Sequence, residues 1–275
     1  MIVVKAGGGS GLDMAAVCAD IAELVHRGEQ AILVHGASHE TNLLSERLGH
    51  APRFVTSISG HVSRYTDRET IEILAMASAG RINTLTVERL QQLGVNALGL
   101  SGLDGRLIQA KRKTAIKVVE NGKRKVLRGD QSGRIEVVNA ALLRTLLAEG
   151  YVPVIAPLAA GYQGEALNVD GDRVAAAIAV ALTAQMLVIL SNVPGLLRNF
   201  PDEGTLIPYI ALEQVNAFAK DYAQGRMKKK LLGAAEAVQG GVGKVIIADG
   251  RVPQPLRRAL DGRGTVVSHS MPSER

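Results

Sequence analysis

Lys5 lies in the apolar run Ile2-Val3-Val4-Lys5-Ala6, which empties into Gly7, Gly8, Gly9, Ser10 and Gly11. A lysine at the end of a buried strand, followed by a loop almost free of side chains, is a combination that can hold an anion. The glycines let backbone N–H groups come close, and a helix starting just beyond them turns its positive end on the same spot. For this stretch alone, a glycine-rich turn with Lys5 extended to solvent is an equal alternative. A second junction of the same kind follows at Val34-His35-Gly36-Ala37-Ser38. Two strands that end in small residues and each open a helix would set two backbone anion sites side by side.

Three further groups could serve an anionic substrate. Arg64, in Gly60-His61-Val62-Ser63-Arg64-Tyr65-Thr66-Asp67, precedes a helical pattern, and a guanidinium grips a carboxylate through two parallel hydrogen bonds. In isolation, surface pairing with Asp67 or Glu69 would explain it better. Asn168-Val169-Asp170-Gly171-Asp172 leads into an uncharged helix, where Asp170 reads as the N-cap. Gly225-Arg226-Met227-Lys228-Lys229-Lys230 carries three lysines, of which a helix turns only one or two toward a given point. The familiar phosphate motifs are absent. In Gly241-Val242-Gly243-Lys244, Val245 stands where a P-loop needs Ser or Thr, and the first glycine run would need its third motif glycine at Leu12.

The elements that must position these residues follow an α/β rhythm. Helical periodicity covers 12–27 and 39–48, with a strand at 31–35 between them. After a short β-rich stretch at 53–59 come helical runs at 67–79 and 82–93, broken at Gly80, and a strand at 95–100. Helices at 139–149 and 171–184, strands at 152–156 and 186–190, helices at 212–220 and 227–239 and a strand at 244–248 complete the pattern. No internal repeat or linker divides the 275 residues, so two lobes sharing one sheet fit better than two tethered domains. The tail, 268–275, is expected to fray.

Cys18 is the single cysteine; it permits no internal disulfide, sits in a helical pattern as a packed thiol, and fits a cytoplasmic protein. No secretory leader or membrane span is expected, because Ser191, Asn192, Pro194 and Gly195 interrupt the uncharged stretch 174–197. The net charge is +6, yet residues 106–128 alone carry +8, which leaves −2 for the rest of the chain. The basicity is a local patch and implies an acidic partner. Within it, Glu120-Asn121-Gly122 separates two β-prone runs, a strong hairpin signal. The patch is therefore expected to project as one antiparallel hairpin, with a merely solvated basic hairpin as the competing reading.

In order and spacing, Lys5-Ala6-Gly7-Gly8, Val34-His35-Gly36, Ser63-Arg64-Tyr65-Thr66-Asp67, Asn168-x-x-x-Asp172 and Gly225-x-Met227-x-x-Lys230 resemble the amino acid kinase superfamily over about residues 1–250. The closest branch is that of the acetylglutamate kinases. Within it, the Arg-Tyr-Thr-Asp core and the three-lysine run look most like the sub-branch acting on carrier-protein-bound aminoadipate in lysine biosynthesis. The resemblance implies a three-layer α/β/α sandwich with a mainly parallel central sheet, the carbamate kinase-like fold. A lobe of about 1–160 would hold the amino acid and phosphoryl site, and one of about 161–267 the ATP site.

The resemblance also implies roles. Lys5 and Lys230 would hold the transferring phosphoryl group with Asp172 orienting both, and Gly7, Gly8, Gly36 and Ala37 would cradle the phosphates through N–H groups. Arg64 and Asn168 would bind the substrate's carboxylate and amide, and Ser191, Asn192, Gly195 and Met227 the nucleotide. Lys111, Arg112, Lys113, Lys117, Lys123, Arg124 and Lys125 would dock an acidic amino-group carrier protein. ATP and Mg2+ are the implied cofactors, with Mg2+ held by the nucleotide phosphates, and a homodimer the implied assembly. One departure stands out: the family has consecutive glycines after the histidine, where this chain has Ala37-Ser38.

A carboxylate attacking the γ-phosphate of ATP brings two anions together, so repulsion is the obstacle. A carboxyl with an ordinary pKa of about 4 is already ionised at neutral pH and needs no general base. Positive charge and N–H dipoles aimed at the transferring group are what the reaction requires. The expected reaction is phosphorylation of the side-chain carboxylate of carrier-linked L-2-aminoadipate. The alternatives are free N-acetylglutamate or carrier-linked glutamate as substrate, in arginine biosynthesis. A non-catalytic regulatory or nucleic-acid-binding protein on the same fold is a further rival; nucleic-acid binding is disfavoured because residues 106–128 contain no Phe, Tyr or Trp on which bases could stack.

Overall fold

The computed structural model describes residues 1–58, 60, 62–120 and 122–269. Its centre is an eight-stranded sheet in the order Tyr209–Ala211, Thr265–Ser268, Lys244–Asp249, Met186–Ser191, Ile2–Ala6, Ala31–His35, Val152–Ala156 and Ala97–Ser101. The six strands from Lys244–Asp249 onward run parallel to one another, and Thr265–Ser268 returns antiparallel beside them. The strands Ile2–Ala6, Ala31–His35 and Val152–Ala156 are buried throughout. This is what their unbroken apolar runs require of strands covered on both faces.

The pleat assigns each side chain to a layer. Ile2, Val4 and Ala6 pack with Val17, Cys18, Ile21, Leu90 and Leu256 on one side, under the helices Met14–His26, Thr84–Gln92 and Pro255–Leu260. Val3 packs on the other side with Leu143, Val174, Ile178, Leu231 and Val238, under Ala140–Ala148, Gly171–Ala181 and Gly225–Gln239. The result is the three-layer α/β/α arrangement. Lys5 shares the Val3 face, so strand periodicity alone directs its amine toward the two helices that carry Asp172 and Lys230.

Several expectations are corrected. Gly80 does not break the helical run: Arg68–Ala75, a π-helical stretch Met76–Asn83 and Thr84–Gln92 form one rod, because the wider turn accommodates the glycine instead of ending there. The basic segment is not one hairpin. Ile108–Arg112 pairs with Gly133–Val138 in a four-stranded sheet with Leu158–Ala160 and Ala166–Asn168. The expected hairpin, Ala115–Glu120 with Lys123–Arg128, belongs to a different four-stranded sheet, completed by Phe54–Ser57 and Val62–Arg64. Of the tail, Ser268 closes a strand and is buried, while 270–275 lie outside the described residues, as does Asn121 of the turn.

Candidate active site

Asp172 stands in the first turn of Gly171–Ala181, whose N-cap is Asp170: its carboxylate accepts from the N–H groups of Asp172 at 2.9 Å and Arg173 at 3.2 Å. That is the capping role the sequence suggested. Lys230 lies in the second turn of Gly225–Gln239, and an ion pair between Arg173 and Glu236 ties the two helices together. Lys5 Nζ is 2.7 Å from Asp172 Oδ1, and Lys230 Nζ donates to Oδ2 at 2.5 Å. The two lysine side chains are 8 % and 12 % exposed and the aspartate 24 %. Of the three consecutive lysines, Lys230 is thus the one turned onto Asp172; Lys229 lines the cleft nearby.

Burial works against ionising Asp172, but Lys5 and Lys230 outweigh it and hold the carboxyl well below the ordinary carboxylate range. Burial lowers the Lys230 pKa, Asp172 pulls it back up and Lys5 pushes it down again. With all three ionised, the cluster keeps a net positive charge at the floor of an open cleft of about 1850 Å3. An anion reaching these desolvated amines would be attracted strongly, because little water would screen it.

The glycine loops meet in the same cleft. A Cβ on Gly36 would lie 2.6 Å from Gly8 Cα, and one on Gly8 would lie 2.8 Å from Gly36 Cα, so neither position has room for a side chain. Their N–H groups are not equivalent. Gly7 donates to Leu190 O at 3.2 Å and Gly36 to Ala6 O at 2.9 Å, both continuing the sheet, so these two N–H groups are already engaged. Their contribution is close approach. Gly8 N–H and Ala37 N–H make no backbone hydrogen bond among the described residues, and both residues line the cleft. The alanine that departs from the family pattern therefore retains an available donor.

Arg64 is half-buried, with its guanidinium 5.3 Å from the centre of the Phe54 ring and Nη2 donating to Ser38 O at 3.1 Å. Its Nη1 is buried without a hydrogen-bond partner, and burial lowers its pKa. An uncompensated guanidinium N–H facing a cleft suits a carboxylate. It does not pair with Asp67, which instead caps the following helix. Asn168 Nδ2 donates to Thr66 Oγ1 at 2.9 Å, which leaves its carbonyl as the group available to a substrate amide.

Behind them sits a residue that the sequence reading missed. Asp130, buried, accepts from Thr66 N at 3.1 Å and Ser132 N at 2.7 Å, and so fastens the Arg64 loop to the Gly133–Val138 strand. A lone aspartate in the polar run Gly129-Asp130-Gln131-Ser132 gave no signal of this.

Ser191, Asn192, Gly195 and Met227 all line the cleft, as do Lys113 and Lys117 of the basic segment. The other five candidate docking residues do not. Arg112 turns inward and donates to Asp130 O at 2.9 Å, and Lys125 pairs with Glu120 at 3.0 Å, itself paired with Arg53. Glu120, the segment's one acid, thus neutralises part of the hairpin locally.

A central parallel sheet with a lysine–aspartate–lysine cluster at the end of its first strand defines a class of protein, and residues 1–249 match the amino acid kinase family model. The chain belongs to that family. It is 58 % identical to LysW-aminoadipate kinase of Deinococcus radiodurans, over 98 % of this chain and 91 % of that protein. It is 54 % identical to LysW-aminoadipate kinase of Thermus thermophilus, over 97 % of this chain and 100 % of that one. Among solved structures it is similar to N-acetylglutamate synthase from Neisseria gonorrhoeae complexed with coenzyme A and N-acetyl-glutamate. The TM-score is 0.79 at 26 % identity, over 98 % of this chain and 60 % of that one.

Proposed function

We propose that this chain catalyses ATP-dependent phosphorylation of the side-chain carboxylate of L-2-aminoadipate held on a small acidic carrier protein, a step of lysine biosynthesis. The relatives named LysW-aminoadipate kinase support the substrate. The observation that carries the chemistry is the Lys5–Asp172–Lys230 cluster, with both carboxylate oxygens engaged by amines. ATP supplies the phosphoryl group, and Mg2+ on its phosphates supplies further charge neutralisation. Asp172 is committed to the lysines, and Asp170 caps its helix through Oδ1.

The carboxylate oxygen forms a bond to the γ-phosphorus while the bridging β–γ P–O bond breaks, and the bridging electron pair leaves on ADP. No proton moves. Lys5 would neutralise the transferring group on the acceptor side and Lys230 on the nucleotide side, with Asp172 fixing the gap between them. Gly8 and Ala37 N–H would bind its equatorial oxygens. Arg64 and Asn168 would hold the acceptor, and Ser191, Asn192, Gly195 and Met227 the nucleotide. In this scheme residues 1–160 form the acceptor lobe and 161–267 the nucleotide lobe. Lys113 and Lys117 would meet the acidic carrier at the cleft mouth.

A homodimer completes the proposal: Leu43, Met76 and Leu85 are exposed apolar side chains on helical segments packed against one another, which a second copy would cover. Met76→Glu, examined by sedimentation, tests it. Among the described residues no helix is long and apolar enough to cross a membrane; the cytoplasm, with its ATP, is the compartment the reaction needs. The substrate test is direct. ATP turnover is compared on carrier-linked aminoadipate, carrier-linked glutamate and free N-acetylglutamate. The first should be fastest; turnover on the free compound alone overturns the reading.

A further inference from the structure

The π-helical stretch Met76–Asn83 has no part in the site described above, yet it ends on a buried asparagine aimed beneath it. Asn83 Nδ2 donates to Val154 O at 2.9 Å and stands 3.1 Å from His35 Nε2. Leu100 O, at 3.5 Å from the same nitrogen, adds a second carbonyl. These carbonyls fix which end of the amide is NH2, because the reversed amide would set its oxygen against them. On the opposite side, Asn83 Oδ1 fills the place where Gly99 has no side chain. An N–H donor approaching Nε2 requires that nitrogen to be unprotonated, so the imidazole proton resides on Nδ1. Nδ1 in turn faces Gly36 O at 3.4 Å.

Gly36 O and the Ala37 N–H belong to one trans peptide, whose C=O and N–H point in opposite directions. The His35 ring is fully buried; a carbonyl held toward it turns the Ala37 N–H the other way, to the cleft. Neighbouring contacts keep the peptide there. Gly36 N–H is bound to Ala6 O, and Ala37 O accepts from Thr41 N at 2.9 Å and Thr41 Oγ1 at 2.7 Å. A Cβ on Gly8 would sit directly on Ala37 N, so the glycine leaves that donor uncovered. Burial is the main cause pushing the His35 pKa down to about 4; the Gly36 contact opposes it and Lys5 reinforces it. The ring accordingly stays neutral at physiological pH.

We propose that His35, held in its Nδ1-protonated tautomer by Asn83, is a positioning residue that aims the Ala37 N–H at the transferring phosphoryl group. The role in transfer rests on the kinase reading above; the tautomer does not. An asparagine side chain places its NH2 where Nδ1 was, whereas a glutamine reaches the Nε2 position. His35→Asn should keep kcat within about threefold of the wild type, and His35→Gln should lower it about ten- to a hundredfold, the scale of a misdirected oxyanion donor. KM for ATP should change little in either.

Equal kcat in the two variants, or a loss carried by KM, overturns the proposal. The 15N NMR spectrum of the wild-type imidazole, recorded without substrate, provides a reading independent of folding of the variants and of the acceptor's identity. A protonated Nδ1 supports the assignment and a protonated Nε2 overturns it. Failure of the kinase reading would show instead as a wild-type protein with the expected tautomer and no turnover.

Discussion

Gly8 and Gly36 occupy one another's side-chain space: each would place a Cβ within 2.8 Å of the other's Cα. Lys5's strand and its neighbour run in register, with Ala6 opposite His35, so the loops leaving them collide unless both begin without side chains. Gly36→Ala should therefore push the loops apart, at a cost of about 1–3 kcal/mol from overpacking. It should also lower kcat at least about tenfold as the N–H donors move. Gly9, with nothing within 4 Å of its would-be Cβ, should accept alanine without loss of stability. Thermal melts and steady-state kinetics of the two variants check this.

Asp172 stands between two largely desolvated amines. In Asp172→Asn the ammonium groups of Lys5 and Lys230 would repel each other without a counter-charge. Breaking a buried ion pair typically costs about 3–5 kcal/mol; with the carboxylate a quarter exposed, the lower end is expected. Turnover should fall about a hundredfold or more, because the amines no longer stand at the spacing a phosphoryl group requires. Lys5→Met and Lys230→Met should lose comparable activity but less stability, since one of the opposed charges leaves with each. Denaturant titrations alongside single-turnover rates separate the two effects.

Much of this was legible in the residues. Strands such as Ile2–Ala6 announce themselves because burial on both faces demands an unbroken apolar run, and a lone lysine inside one is conspicuous. Asp172 and Lys230 were legible only jointly with Lys5, through the spacing of a known family. What escaped depended on context. Ile108–Arg112 and Gly133–Val138 are short, half-polar and paired across a long connection, so neither period nor turn marks them. The π-helix escaped because Gly80 has the local signature of a break, and only packing of Asn83 against His35 and Val154 gives the wider turn a reason. The commitment of Gly7 and Gly36 N–H to the sheet is a matter of tertiary register, which composition does not encode.

Acid stability should decline in two windows. For His35, the folded pKa of about 4 lies below the ordinary 6.5. Above 6.5 neither state is protonated; between 6.5 and about 4 the unfolded chain takes up a proton that the folded chain refuses. Stability therefore falls as pH drops through that window and levels off below it. The shift is worth roughly 3 kcal/mol at about 1.36 kcal/mol per pKa unit. For Asp172, the folded pKa is depressed from 3.8, so its stabilisation is present above 3.8 and is lost as pH falls further. Melting temperature against pH should show the first decline in the wild type and lose it in His35→Asn; a curve of unchanged shape would remove His35 as its source.

The division of the basic segment between two sheets makes the docking proposal specific. Lys113 and Lys117 reach the cleft, and Lys113 is close enough to Lys229 to contribute to its lowered pKa, after burial and against the pull of Asp170. Lys113, Lys117 and Lys229 add positive charge to the cleft that holds the Lys5 and Lys230 amines, and an acidic carrier delivering a carboxylate would be drawn toward it. Lys125 is partly neutralised by Glu120, and Lys123 and Arg124 are not among the residues lining the cleft. Lys113→Glu with Lys117→Glu should raise KM for the carrier-linked substrate about tenfold or more at low salt, flatten its salt dependence, and leave KM for ATP nearly unchanged. Lys123→Glu with Arg124→Glu should have a much smaller effect. If the distal pair proves equal to the cleft pair, the carrier approaches across the hairpin's outer face instead of the cleft mouth; a KM in both pairs indistinguishable from wild type would mean that the patch is solvated charge.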